Sequence, residues 1–216
     1  MPFALRVDMV SNKKSILAKI WHFIWKDDSI LSWIVNIILA FLIVKFLVYP
    51  GLGVLFGTTH PVVAVVSCSM EHNKAGSSCS TKHLIFDEWW DVYGMWYDER
   101  GYNMESFKKW TFSNGFNKGD IMVLIGAKIE KIKVGDIVVF RGNSREPIIH
   151  RVVLKYNQNG KIYIQTKGDN NPDTLVGLGE DMVSQDKLIG KAVFRVPLLG
   201  WIKIVAVDFV NLVKGV

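Results

Sequence analysis

Three kinds of side chain in this sequence could carry out acyl transfer. Ser69 sits in Cys68-Ser69-Met70, directly after the β-branched run His60–Ser67 (HPVVAVVS). A serine hydroxyl is a weak nucleophile at neutral pH and needs a base within hydrogen-bond reach. His150 lies in the run IIHRVV, apolar on both sides. Its imidazole titrates near neutrality, so it can take the serine proton and return it to a leaving amine. Asp169 follows Gly168 and precedes Asn170-Asn171-Pro172, a sequence that forces a tight turn. A carboxylate there can orient an imidazole and stabilise its charged form. Asp173, four residues on, is a second candidate, and the choice between the two stays open. Backbone amides around Ser69, with Ser67 nearby, could bind an oxyanion. Taken singly, each has an ordinary structural reading: a turn serine, a core histidine, a turn aspartate. Their weight comes from their combination.

These residues need elements to hold them. Ile30–Tyr49 (ILSWIVNIILAFLIVKFLVY) is a 20-residue apolar stretch whose one charge, Lys45, is near its end. A helix of about 20 apolar residues spans a bilayer core, and a lysine at the end can snorkel to the interface. Pro50-Gly51 is expected to stop that helix. Before it, residues 1–29 carry five Lys or Arg and a short amphipathic pattern over Ile16–Trp25. Positive charge favours the cytoplasmic side, so the chain after Tyr49 is expected outside.

Residues 58–197 read as a β domain. Ile121–Ile125, Asp136–Phe140, Ile148–Tyr156, Lys161–Gln165 and Lys187–Val196 are strand-like, and Asn157–Gly160 is a hairpin turn. The segment 72–118 differs: it holds an aromatic block that includes Phe86, Trp89, Trp90, Tyr93, Trp96 and Tyr97, with helical spacing from near Asp87. Trp89, Trp90, Tyr93 and Trp96 suit either a bilayer interface or a small core of the insert itself. Residues 198–216 suggest an amphipathic helix, short for a second span.

Half of the 216 residues are hydrophobic and the net charge is +6, with 26 basic residues scattered rather than clustered. This pattern favours a lipid surface over nucleic acid. The two cysteines, Cys68 and Cys79, form no CxxC motif and so no zinc site is expected. A Cys68–Cys79 bridge is one reading; two thiols, one of them packed, is the favoured one.

The ordered blocks VVSCSME (65–71), VGDIVVFR (134–141), IIHRVV (148–153) and TKGDNNPD (166–173), with VPLLGWI (196–202), resemble type I signal peptidases of the archaeal and endoplasmic-reticulum branch. The resemblance implies a mainly β catalytic domain behind an N-terminal membrane helix, with Ser69 as nucleophile, His150 as base and Asp169 as the aspartate of the glycine-aspartate-asparagine motif. It implies a membrane-bound serine endopeptidase that removes signal peptides from exported preproteins after small residues. No metal or organic cofactor is implied, and the partners are preproteins, the bilayer and the export machinery. The sequence departs from the family pattern at His72, where a proline is usual, at Leu175, where a further aspartate is frequent, and in the long 72–118 insert, which need not touch the catalytic fold. Two other readings are a self-cleaving regulator of related fold, disfavoured by the anchor and the histidine base, and an inactive membrane-anchored homologue acting as a binding module, disfavoured by the intact Ser69, His150 and Asp169.

Overall fold

The computed structural model describes residues 16–73, 79, 84–202 and 204–205. Most of the expected C-terminal helix, and residues 1–15 of the N-terminal tail, lie outside the described residues. The chain divides into two compact units, 1–52 and 53–216.

In the first unit, residues 16–26 form helix α1 and Ile30–Ile43 form α2, N-capped by the Ser29 side chain. Ser32 and Asn36 on α2 donate to the Phe23 and Ile24 carbonyls at the end of α1, at 2.6 and 2.9 Å. These bonds satisfy carbonyls that a helix end leaves open. A π turn, Val44–Val48, leads into α3, Tyr49–Phe56. The helix therefore does not stop at Pro50. A proline ring clashes with the carbonyl four residues back, and the wider π turn just before Pro50 makes room for it. The continuous helix Ile30–Phe56 has 27 residues, a mean hydropathy of 2.5 and almost no buried side chains. By length and composition it is the one helix among the described residues suited to crossing a membrane.

The second unit is built on a six-stranded, wholly antiparallel sheet in the order β1-β2-β6-β3-β4-β5. The strands are β1 Val62–Ala64, β2 Ile121–Ile125, β3 Ile137–Phe140, β4 Ile148–Gln158, β5 Lys161–Lys167 and β6 Leu188–Val196. The expected strand at 60–67 is thus confined to three residues, and it lies at the sheet edge. The β4–β5 hairpin closes with Asn159 and Gly160 at φ +53° and +78°, the conformation a two-residue turn needs to follow the strand twist.

Strand alternation sorts the core. On β3, Ile137 and Val139 join Val65, Met70, Phe116, Met122 and Leu124. Val138 and Phe140 join Ile148, Val152, Ile164 and Val183 on the opposite face. On β4 the same alternation puts His150 on the face of Ile148 and Val152, and Arg151 on the face of Val153.

The insert forms helices α4, Phe86–Asp98, and α5, Met104–Lys108. Trp89, Trp90, Tyr93, Tyr97 and Phe107 make a third core cluster that includes Val153 of β4. Trp89 is 0%, Trp90 7% and Tyr93 7% exposed, so these rings face the protein interior rather than a bilayer. The insert does touch the sheet: its aromatic stripe packs on Val153 of β4, and the Tyr102 hydroxyl donates to the Val153 carbonyl. Truncating Trp89 to Ala should cost about 3–5 kcal/mol, as for other large buried aromatics. Denaturant unfolding of the full chain in detergent would check this. A loss below about 1 kcal/mol would mean that the ring is not part of the core.

Candidate active site

Ser69 occupies the loop that leaves β1, and His150 projects from the third position of β4. Two structural facts bring them together. Gly168 lets the turn after β5 approach the Ser69 loop, since a Cβ there would stand 2.8 Å from the Ser69 carbonyl oxygen. Asn170 N–H then donates to that carbonyl at 2.8 Å. In the resulting arrangement the Ser69 hydroxyl lies 2.8 Å from His150 Nε2. Ser67 Oγ is 3.1 Å from Ser69 Oγ.

The other ring nitrogen, Nδ1, bonds to Glu180, a fully buried carboxylate. Neither Asp169 nor Asp173 is hydrogen-bonded to the imidazole. Glu180 reaches it because the chain turns back beside β5: Thr166 N–H donates to the Glu180 carbonyl at 2.8 Å, and Val183 pairs with Ile164. The second Glu180 oxygen accepts the Leu175 N–H at 2.7 Å. An ionised Glu180 can only accept; in that state Nδ1 donates to it and Nε2 is left to accept from the Ser69 hydroxyl.

Asp169 holds a different post. Both its oxygens take a fork from Arg151, Nε to Oδ1 at 2.8 Å and Nη2 to Oδ2 at 2.7 Å. Neither partner is exposed. The remaining guanidinium hydrogens go to the carbonyls of Thr111, Phe112 and Gly135. Burial alone would push the Asp169 carboxyl up, but Arg151 and the hydrogen bond from His72 outweigh it and hold the group well below the usual carboxylate range. His72 stacks on Trp89 at 3.9 Å between ring centroids and lies 3.3 Å from Asp169. Burial lowers its pKa more than Asp169 raises it. His72 thus joins the Ser69 loop to Asp169 and to Trp89 of α4. Asp173 is exposed and accepts the Trp96 indole N–H at 2.9 Å. Asp169 and Asp173 are structural neighbours of the site, and the group on His150 is Glu180.

Cys68 and Cys79 are joined in a disulfide, which corrects the expectation of two thiols. Leu84 N–H donates to the His72 carbonyl at 2.8 Å, so the chain returns to the Ser69 loop and Cys79 comes alongside Cys68. Glu71, buried, fixes the same loop by accepting the Lys118 N–H at 2.9 Å.

Beside Ser69 lies a cleft of about 310 Å³ lined by Ala64, Val66, Ile148, Ile149, Leu175 and Leu178 among others. Its walls are mainly apolar, with Ser69 and His150 in its lining, and its mouth borders the edge strand β1.

A serine, an imidazole and a buried carboxylate in series on a β fold form the constellation that serine hydrolases use. Comparison with known proteins narrows that class. The chain is 37% identical over 94 residues to the signal peptidase complex catalytic subunit sec11 of Sclerotinia sclerotiorum, covering 41% of this chain and 55% of that protein. It is 34% identical over 99 residues to the signal peptidase complex catalytic subunit SEC11C of Homo sapiens, covering 44% and 52%. A similar match, 34% over 94 residues, is made to the signal peptidase complex catalytic subunit SEC11 of Metarhizium robertsii. The chain thus spans about half the length of the curated relatives it matches. No protein-family model matches it.

Reading the sequence alone missed Glu180, Arg151 and Lys167. Arg151 adjoins His150, and Lys167 precedes the turn. Glu180 carries little local signal: it is one of two adjacent acids, with Asp181, at the end of a glycine-rich apolar stretch. Lys167 is buried, and its ammonium sits over the rings of Tyr93, Trp96 and Tyr97 at 5.4, 5.0 and 5.0 Å. Burial brings its pKa down to about 8, with Asp169 opposing. Between that value and the unfolded value of about 10.5, the unfolded chain binds a proton the folded chain has released, so this residue makes stability rise with pH. From pH 8 to 9.5 the rise should be about 1–2 kcal/mol in denaturant melts and absent in Lys167→Met.

Asp169→Asn should cost about 3–5 kcal/mol by leaving Arg151 buried without a counter-charge. The shift in unfolding midpoint of the full chain reads this. A variant as stable as wild type would show that the ion pair is not an anchor.

Proposed function

We propose that this chain is a membrane-bound serine endopeptidase that removes signal peptides from exported preproteins, with Ser69 as nucleophile, His150 as general base and acid, and Glu180 as the group that orients His150. The observation that carries the proposal is the continuous series Ser69–His150–Glu180, beside a cleft that opens along a sheet edge. The similarity to signal peptidase catalytic subunits supports the substrate class.

The peptide would lie extended beside β1 and take up backbone hydrogen bonds as an added strand, with a small side chain in the cleft. Ser69 Oγ attacks the scissile carbonyl carbon as its proton passes to His150 Nε2. The oxyanion forms near the Ser67 hydroxyl and the backbone amides of the nucleophile loop, which can donate to it. The tetrahedral species collapses: the carbon–nitrogen bond breaks, His150 returns the proton to the leaving amine, and the signal peptide stays esterified to Ser69. A water molecule then gives a proton to His150 and attacks the ester, and Ser69 leaves with that proton. Glu180 keeps the imidazole in the tautomer that both half-reactions need and offsets its transient positive charge. The apolar helix Ile30–Phe56 anchors the chain, with the N-terminus cytoplasmic and the second unit on the external face.

Cleavage of a signal-bearing precursor by detergent-purified full-length protein tests this. Ser69→Ala and His150→Ala should abolish cleavage. Glu180→Gln should lower kcat by about 10²–10⁴-fold, in line with loss of the orienting carboxylate elsewhere. Asp173→Asn should stay within about twofold, because its side chain bonds to Trp96 rather than to the imidazole. Wild-type turnover by Glu180→Gln would reassign the orienting group. Undiminished cleavage by Ser69→Ala would end the proposal.

A further inference from the structure

Helix α4 meets the 168–173 turn through three residues one helical face apart. Tyr93, Trp96 and Tyr97 stand at i, i+3 and i+4, the spacing that stacks side chains on one side of a helix. The Trp96 indole donates to Asp173 at 2.9 Å. The Tyr97 hydroxyl faces Asp169 at 3.5 Å. The Tyr93 hydroxyl reaches Asn170 twice, 3.0 Å to its carbonyl oxygen and 2.9 Å to Oδ1.

Asn170 in turn holds the Ser69 loop by two bonds. Its N–H donates to the Ser69 carbonyl at 2.8 Å. Its Nδ2 donates to the Cys68 carbonyl at 3.3 Å. The Cys68 carbonyl can only accept, which puts Nδ2 toward it and leaves Oδ1 facing the Tyr93 hydroxyl, so the tyrosine braces the amide in that orientation. The aromatic face of α4 backs this polar turn through the hydroxyls of Tyr93 and Tyr97 and the indole of Trp96.

We propose that Tyr93 is a positioning residue for Ser69, acting through Asn170: the insert helix sets the nucleophile's backbone and hence the reach of its hydroxyl to His150. This rests on the reading of Ser69 as a nucleophile. Tyr93 touches neither Ser69 nor a substrate. Its effect is geometric, and a displacement of about 1 Å at an attacking atom is costly because acyl transfer depends on near-attack alignment.

The test uses full-length protein in detergent and two readouts, turnover of a signal-bearing precursor and the rate at which a fluorophosphonate probe labels Ser69. Tyr93→Phe keeps the ring and removes only the hydroxyl. Tyr102→Phe is the matched control, since its hydroxyl also makes one insert-to-sheet bond, to the Val153 carbonyl at 2.9 Å, away from the turn. Tyr93→Phe should lower both the labelling rate and kcat by about tenfold with KM within about twofold. Tyr102→Phe should leave both near wild type. Asn170→Ala should lower them as well, and the double variant Tyr93→Phe/Asn170→Ala should be no slower than Asn170→Ala alone, as expected for residues acting in one series. Additive losses, or equal losses in Tyr93→Phe and Tyr102→Phe, would overturn the proposal by showing a general stability effect. Labelling in Tyr93→Phe as fast as in wild type would overturn it while leaving the peptidase reading intact. A folded wild type that labels at Ser69 but cleaves no precursor would leave the positioning role standing and remove the signal-peptide substrate. A folded wild type that neither labels at Ser69 nor cleaves the precursor would overturn both.

Discussion

The Arg151–Asp169 pair is the constraint around which the second unit is organised. Two opposite charges with no exposure would ordinarily be expensive to bury, since desolvation rivals their attraction. Here the cost is offset by complete hydrogen bonding: the guanidinium spends its three remaining N–H groups on two carbonyls of the insert, Thr111 and Phe112, and on that of Gly135 in the loop before β3. One ion pair therefore ties β4, the turn after β5, the insert and the entry to β3 into a single arrangement. His72 adds the Ser69 loop to it through Asp169. Phe107, packed under the guanidinium at 4.7 Å, keeps water away from the pair.

Strand geometry turns this anchor into a site. Adjacent residues on β4 face opposite sides of the sheet, so fixing Arg151 on one side fixes His150 on the other. The carboxylate of the turn is already committed to Arg151, and it cannot also serve the imidazole across the sheet. The segment that ends at Val183 returns beside β5 and supplies Glu180 in its place. The two buried carboxylates thus have separate partners, Asp169 on Arg151 and Glu180 on His150.

Much of this was legible in the sequence because it is local. The apolar helix, most of the strand runs and the Asn-Gly turn follow from composition and period within short windows. Ser69 and His150, each weak by its setting alone, gained weight from their combination and from the ordered blocks around them, and Ser69 Oγ lies 2.8 Å from His150 Nε2. The boundaries that differed have local physical causes too: the π turn carries the helix past Pro50, and β1 pairs over only three residues. What could not be read depends on contacts between distant segments. Glu180 lies 30 residues from His150 and arrives by the antiparallel return of an irregular stretch. The aromatic block has the same periodicity whether it faces lipid or a polar turn, and only the docking of Tyr93, Trp96 and Tyr97 onto residues 77, 77 and 72 positions away distinguishes the two. The Cys68–Cys79 bridge requires the loop after Met70 to return to its start, which composition does not report.

The link between His150 and Glu180 can be observed without substrate. In proton NMR of the full-length protein in detergent, the His150 Nδ1–H bonded to a buried carboxylate should give a strongly downfield resonance, protected from exchange. The account predicts that this signal is present in wild type, persists in Asp173→Asn, and is lost in Glu180→Gln and His150→Ala. A resonance that survives Glu180→Gln, or that disappears in Asp173→Asn while the protein stays folded, would contradict it and return the orienting role to the turn aspartates.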